Sequence, residues 1–255
     1  MALLTVEVAD RVAVVTLNDP DRRNVVSHAL NAELAAAMDD LESRDDVGAL
    51  VVTGAGKAFC AGADLDDLSG ASSPEELEAI YAGFLRVADS PLPTVAAVNG
   101  PAVGAGMNMA LACDVIVAGA SARFDTRFMQ IGIHPGGGHT WRLRRITDHQ
   151  TAMALVVFGQ VVDGARAAEI GLAWSCVADG DLLDAARGVA AGAAAAPPEL
   201  VRRTKATIAS LGAIDTGAEA VAAELEPQFE SMGQPAFTEL LARLKAKISS
   251  KDSNR

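Results

Sequence analysis

The chain has 255 residues, half of them hydrophobic, which is enough to bury one large core with a small appended segment. A formal charge of −12 and a pI near 4.7 argue against nucleic acid or an anionic membrane as a bulk partner, because phosphate arrays need a basic face. Cys60, Cys113 and Cys176 are odd in number and lack CxxC or Cys/His spacing, which opposes both a disulfide framework and a metal site. Met1 to Ala9 has no basic leader and no small-residue cleavage site, so a cytoplasmic protein without a membrane span is expected.

In chain order, Leu3–Val8 alternates apolar and polar and Val12–Leu17 is rich in β-branched residues, which predicts a hairpin closed off by the Asn18-Asp19-Pro20 turn. Ser27 caps a helix whose apolar face is Leu30, Leu34, Met38 and Leu41. Ala49–Thr53 and Thr94–Val98 are continuous apolar runs of the kind buried on both faces in parallel sheets. A short helix over Gly104–Ala112 and a strand over Asp114–Ala118 complete an α/β pattern with right-handed crossovers. From about Gly136 the pattern is helical, with one weak strand candidate at Trp174–Val177. An alanine-rich helix spans Ala185–Ala196, Pro197-Pro198 restarts another, and Pro227 and Pro235 punctuate those that follow. Only Ser249–Arg255 reads as disordered.

Two glycine-rich stretches follow buried strands, where backbone rather than side chain is exposed to a ligand. The first is Phe59-Cys60-Ala61-Gly62-Ala63-Asp64-Leu65, with Asp64 suited to cap a helix. The second is Asn99 to Asn108, whose helix begins with free N–H groups at the positive end of the dipole. Two such donors converging from adjacent loops would form an oxyanion hole for a thioester carbonyl, whereas either loop alone reads as a tight turn. Gly104-Ala105-Gly106 is not a complete dinucleotide fingerprint, since Met109 stands where the third glycine belongs. Arg22, Arg23, Lys57, Arg142, Arg144 and Arg145 are available as local cations for one small anion, although each also fits an ordinary solvated surface.

Four runs, AFCAGADL at 58–65, AAVNGPAVGAG at 96–106, ACDVIVAG at 112–119 and HPGGGHTWRL at 134–143, resemble the crotonase (enoyl-CoA hydratase/isomerase) superfamily in order and spacing. The resemblance covers roughly Val6–Val177. It implies a spiral of ββα units over residues 1–195, then a helical segment, 196–255, used for assembly into a trimer or a dimer of trimers. It further implies an acyl-CoA thioester as substrate, with no cofactor and no metal. The N–H groups of Ala63 and Ala105 would form the oxyanion hole, and Phe59, Ala61 and Leu65 would lie along the CoA cleft. The turn from Arg22 to Val25 would approach adenine and pantetheine. Where many members have a lysine shortly after the Ala-Asp pair, this chain has Leu65 and Asp66, so one customary phosphate-binding cation is missing.

The chain departs from the family where protons move. Asn108 and Phe128 stand at the positions of the two hydratase glutamates, and neither takes a proton from water at neutral pH. Gly136 stands where other members have an aspartate, and Phe128 and Gly136 would instead shape the acyl pocket. His134, two residues from that loop, Asp125 and Tyr81 are the candidate replacement groups. Against them, His134 also reads as a turn residue before Pro135 and Asp125 as an ion-pair partner of Arg127. Tyr81 reads as core, and His139 and His28 as surface or capping residues. The expectation is therefore an acyl-CoA enzyme with a non-standard base. A thioester-binding protein without turnover is the main alternative, and a dinucleotide oxidoreductase is a remote one.

Overall fold

The computed structural model describes residues 2–252, and the chain divides into two compact units, 1–195 and 196–255. The first opens with β1 (Leu4–Ala9) and β2 (Val12–Leu17), antiparallel and joined by Asp10 and Arg11, both at positive φ. A two-residue turn of that handedness matches the twist of the strands it joins. Arg11 is pinned there by the carbonyls of Asp45 and Ala194. Then follow α1 (His28–Ser43), capped by the Ser27 hydroxyl, β3 (Ala49–Gly54), α2 (Leu65–Gly70), α3 (Pro74–Ala88), β4 (Thr94–Val98), β5 (Pro101–Val103) and α4 (Ala105–Ala112). The unit continues through β6 (Val115–Gly119), β7 (Arg123–Asp125), α5 (His139–Ile146), α6 (His149–Val156), β8 (Val162–Asp163), α7 (Gly164–Glu169), β9 (Ser175–Val177) and α8 (Leu182–Ala195).

Six strands form the main sheet in the order β1-β2-β3-β4-β6-β9, parallel apart from the first pair. Alternation along the strands feeds two cores. Ala13, Val15, Leu50 and Val52 join α1, α3 and α4 residues such as Leu34, Phe84 and Met107, while Val12, Val14, Ala49 and Val51 join Leu182, Ala186, Ala190 and Ala194 of α8. The alanine run is therefore a helix face that must sit close to the sheet, and the backbone of Ala194 leaves no room for a Cβ on Gly48. A small second sheet, β5-β7-β8, carries the glycine-rich loops. These short strands do not stand out in the sequence, because three residues cannot show alternation.

The second unit consists of α9 (Pro198–Ser210), α10 (Gly217–Met232) and α11 (Pro235–Asp252). Thr216 and Glu219 form a reciprocal capping box at the start of α10. Pro227 lies inside α10 instead of separating two helices, a correction to the sequence reading; a proline there forfeits one backbone hydrogen bond that the strong cap and surrounding helix formers outweigh. The tail expected to be disordered from Ser249 is helical to Asp252, since the Lys-Ala-Lys stretch before it favours helix, and residues 253–255 lie outside the described residues. No helix among the described residues is long and apolar enough to cross a membrane.

Candidate active site

The first glycine-rich loop is held in place by Asn24. This residue is fully buried with φ 58°, and its Nδ2 donates to the carbonyls of Ala55 and Ala58 at 2.9 Å and to that of Phe59 at 3.2 Å. Downstream, the loop runs alongside residues 23–26. Ala61 N–H donates to Arg23 O at 3.0 Å, Val26 N–H to Gly62 O at 2.8 Å and Asp64 N–H to Val26 O at 2.8 Å. Residues 62 and 64 thus spend their polar groups on Val26. Successive groups of an extended chain point to opposite sides, so the Ala63 N–H points the other way.

On that other side lies the second loop. Cys60 bridges to Ala102, with Val103 N–H donating to Cys60 O at 3.0 Å. Gly104, at φ 51°, satisfies its own N–H on Asp125 O at 2.9 Å and leaves Ala105 as the first residue of α4, where the backbone N–H has no acceptor within the helix. Two glycines allow this approach: a Cβ on Gly62 would press on Val103 O, and one on Gly106 would be driven into the Cys60 carbonyl. Cys60 itself is buried beneath the contact, and burial pushes its thiol up to about 12. The result is two N–H donors on abutting loops, one of them at a helix N-terminus. That is an arrangement suited to an oxygen that gains negative charge.

Next to these donors is a pair that the sequence did not reveal. Asn108 is 1% exposed and one helical turn beyond Ala105, with a Cα–Cβ bond that leans back toward the helix start. Its Nδ2 donates to Gly136 O at 3.2 Å, so its Oδ1 is the atom facing Nδ1 of His139 at 2.7 Å. An amide oxygen can only accept; Nδ1 therefore carries the proton and Nε2 is a bare lone pair. His139 is 1% exposed, and its Nε2 has no hydrogen-bond partner. Burial, with a smaller contribution from the Arg142 guanidinium, lowers its pKa to about 4, which keeps the ring neutral. The Phe128 ring meets the imidazole edge-on, with 4.9 Å between centroids.

The reading of His139 as a surface or capping residue is thus wrong. Its signal was the preceding Gly136-Gly137-Gly138: a Cβ on Gly136 would strike the Tyr81 hydroxyl and one on Gly137 the Phe84 ring, so only glycines let this backbone pass inside and carry α5 with it. Tyr81 is partly buried, and desolvation raises its hydroxyl pKa. Arg142 donates to Gly137 O at 2.6 Å and lies over Phe84, fixing the far side of the same loop.

The fold joins Asn108 to Gly136 and sets the loop of Ala63 against the one that leads into Ala105, through the Cys60–Ala102 bridge, with Phe128 buried against His139. His134 is exposed, and its Nδ1 is bonded to Pro135 O at 2.7 Å, so it occupies a turn on the outside. Asp125 is buried but its carboxylate is ion-paired with Arg127, while its carbonyl supports Gly104. Phe59 is fully buried in the core and cannot line a cleft, whereas Ala61 and Val25 are half-buried and Leu65 is exposed. Arg22 is exposed and paired with Asp64, whose carboxyl is held below its usual range first by the N–H of Asp66. Among the described residues no group of three or more His, Cys, Asp or Glu is placed to hold a metal ion.

The model of the enoyl-CoA hydratase/isomerase family matches residues 7–240, and the chain belongs to that family. It is 51% identical over 239 residues to a protein of Mycobacterium tuberculosis named "Probable enoyl-CoA hydratase EchA14", covering 91% of this chain and 93% of that one. It is 36% identical over 197 residues to the 1,2-epoxyphenylacetyl-CoA isomerase of Escherichia coli, covering 74% and 75%. The crystal structure of an enoyl-CoA hydratase from Bacillus anthracis matches with a TM-score of 0.90 at 30% identity, over 96% of this chain and 97% of that one. The α/β fold is that of the crotonase superfamily.

Proposed function

We propose that this protein binds an acyl-CoA thioester with its carbonyl oxygen between the N–H groups of Ala63 and Ala105, and that it works on that thioester without paired-carboxylate hydration. Family membership supports the substrate class. The observation that carries the rest is the pair of neutral, buried groups at the two proton-transfer positions, Asn108 and Phe128. Carbonyl polarisation by two preorganised N–H donors stabilises the enolate that forms when a proton leaves the α-carbon. Activation of a water for addition to the β-carbon needs a base facing it, and a phenyl ring supplies none.

The test is hydration of crotonyl-CoA and of a longer 2-enoyl-CoA, followed as loss of the conjugated thioester absorbance. The native protein is expected to bind both and hydrate neither at an appreciable rate, and Asn108→Glu/Phe128→Glu together are expected to introduce hydration. Rapid hydration by the native protein would overturn this reading. Binding of thioesters without any turnover is the second reading, favoured by the same two replacements.

We further propose that the protein is cytoplasmic and self-associates, as a trimer or hexamer, through the second unit. The support is the number of exposed apolar side chains on its helices, among them Ile208, Leu225, Phe229 and Leu244.

A further inference from the structure

A tyrosine hydroxyl carried toward a protein interior ordinarily finds a hydrogen-bond partner. Tyr81, the single tyrosine of the chain, departs from this. It stands on α3, packed against the main core, with its ring centroid 5.6 Å from that of Phe84. Among the described residues its hydroxyl has no partner, yet, unlike His139 Nε2, it is not sealed from solvent. Burial raises its pKa, so it stays a neutral phenol that can both donate and accept.

The glycine loop sets the place of that hydroxyl. A Cβ on Gly136 would strike the Tyr81 oxygen, and one on Gly137 would crowd Cγ of the same ring, so the ring lies along the loop and its oxygen fills the space that a side chain at 136 would take. Gly136 O holds the amide of Asn108, and the Asn108 side chain leans back toward the start of α4, where the Ala105 N–H lies. Ala105, Asn108, Gly136 and Tyr81 thus follow one another through a helical turn, a hydrogen bond and a close contact. The other polar side chains on this route are committed: Asn108 to Gly136 and His139, and Arg142 to the Gly137 carbonyl. The Tyr81 hydroxyl is left over, accessible and without a partner.

We infer that Tyr81 is a specificity-determining residue: its hydroxyl bonds to an oxygen carried on the acyl group, so that the protein takes oxygenated acyl thioesters in preference to plain alkanoyl ones. The inference rests on the thioester-binding reading given above. A half-buried hydroxyl discriminates in both directions, because an oxygen placed against it gains a hydrogen bond while a methylene there leaves it cut off from water and unpaired. The recognised oxygen stands several carbons from the thioester, since Asn108 and Gly136 come between Ala105 and Tyr81. Gly136 is part of the same device: any side chain there would displace the ring.

The experiment uses the full-length protein and three probes, hexanoyl-CoA, 5-hydroxyhexanoyl-CoA and 6-hydroxyhexanoyl-CoA, with binding measured by calorimetry. One of the hydroxylated probes is expected to bind roughly 5- to 10-fold more tightly than hexanoyl-CoA to the native protein, the value of one hydrogen bond. In Tyr81→Phe, which keeps the ring and removes only the oxygen, the two affinities are expected to be equal. Because the chain has a single tyrosine, labelling with 3-fluorotyrosine gives one 19F resonance, which is expected to move further on saturation with the preferred hydroxyhexanoyl-CoA than with hexanoyl-CoA. A native protein that binds all three alike, or a preference that survives Tyr81→Phe, would overturn the role of Tyr81 while leaving the thioester site intact. An equal loss of affinity for all three in the variant would set Tyr81 against the shared pantetheine arm and overturn the acyl assignment. Absence of binding by the native protein would overturn the site reading, and this inference with it. The native affinities and the 19F spectra decide the matter even if Tyr81→Phe fails to fold.

Discussion

His139 couples the site to the stability of the fold. Its folded pKa of about 4 lies below the value near 6.5 for a histidine in an unfolded chain. Between those values the unfolded chain takes up a proton that the native protein refuses, so stability rises with pH there and is lost as pH falls from about 6.5 toward 4. The difference corresponds to about 3 kcal/mol for a group buried this completely. Denaturant titrations of the native protein and His139→Gln at a series of pH values should show it: the native protein loses stability across that window by about this amount more than the variant. Parallel pH dependences would mean that the imidazole is not buried neutral. Asn24 also acts at the scale of one residue. An asparagine with a left-handed backbone and a fully buried amide organises three carbonyls of a loop that is more than thirty residues away in sequence.

At the scale of elements, the site is a contact between two loops, and Gly106 sets how closely they meet. Although alanine is the better helix former by about 1 kcal/mol, Gly106→Ala would force the Cys60 carbonyl away and separate the two N–H donors. Expected outcomes are a net destabilisation of about 1–3 kcal/mol and a loss of thioester affinity, read by thermal unfolding and calorimetry. An unchanged affinity would show that loop spacing does not govern binding. The two loops stood out in the sequence as glycine- and alanine-rich strings after buried strands, although either alone reads equally as a tight turn, and the long elements were legible from their periodicity. The three-residue strands that brace the loops were not, because pairing between distant segments leaves no local pattern. His139 was missed for a related reason: burial of a polar residue depends on what crosses over it, here Phe128 and the Asn108 amide, and neither is a neighbour in sequence.

For the whole molecule, exposed Ile208, Leu225, Phe229 and Leu244, spread over the three helices of a 60-residue unit, leave apolar side chains to water. Mass measurement in solution at micromolar concentration is expected to give three or six copies, and a monomer would overturn the proposed assembly. Leu225 and Phe229 stand four residues apart on α10, a helical spacing, but whether such a pair is core or surface is decided only once the helices are placed. The burial of Cys60 has a consequence of its own. Its sulfur lies under the junction of the two loops and is held as the unreactive thiol, so the nucleophilic form arises only when the junction parts. The reactivity of this thiol thus gauges how often the contact between the two loops comes apart.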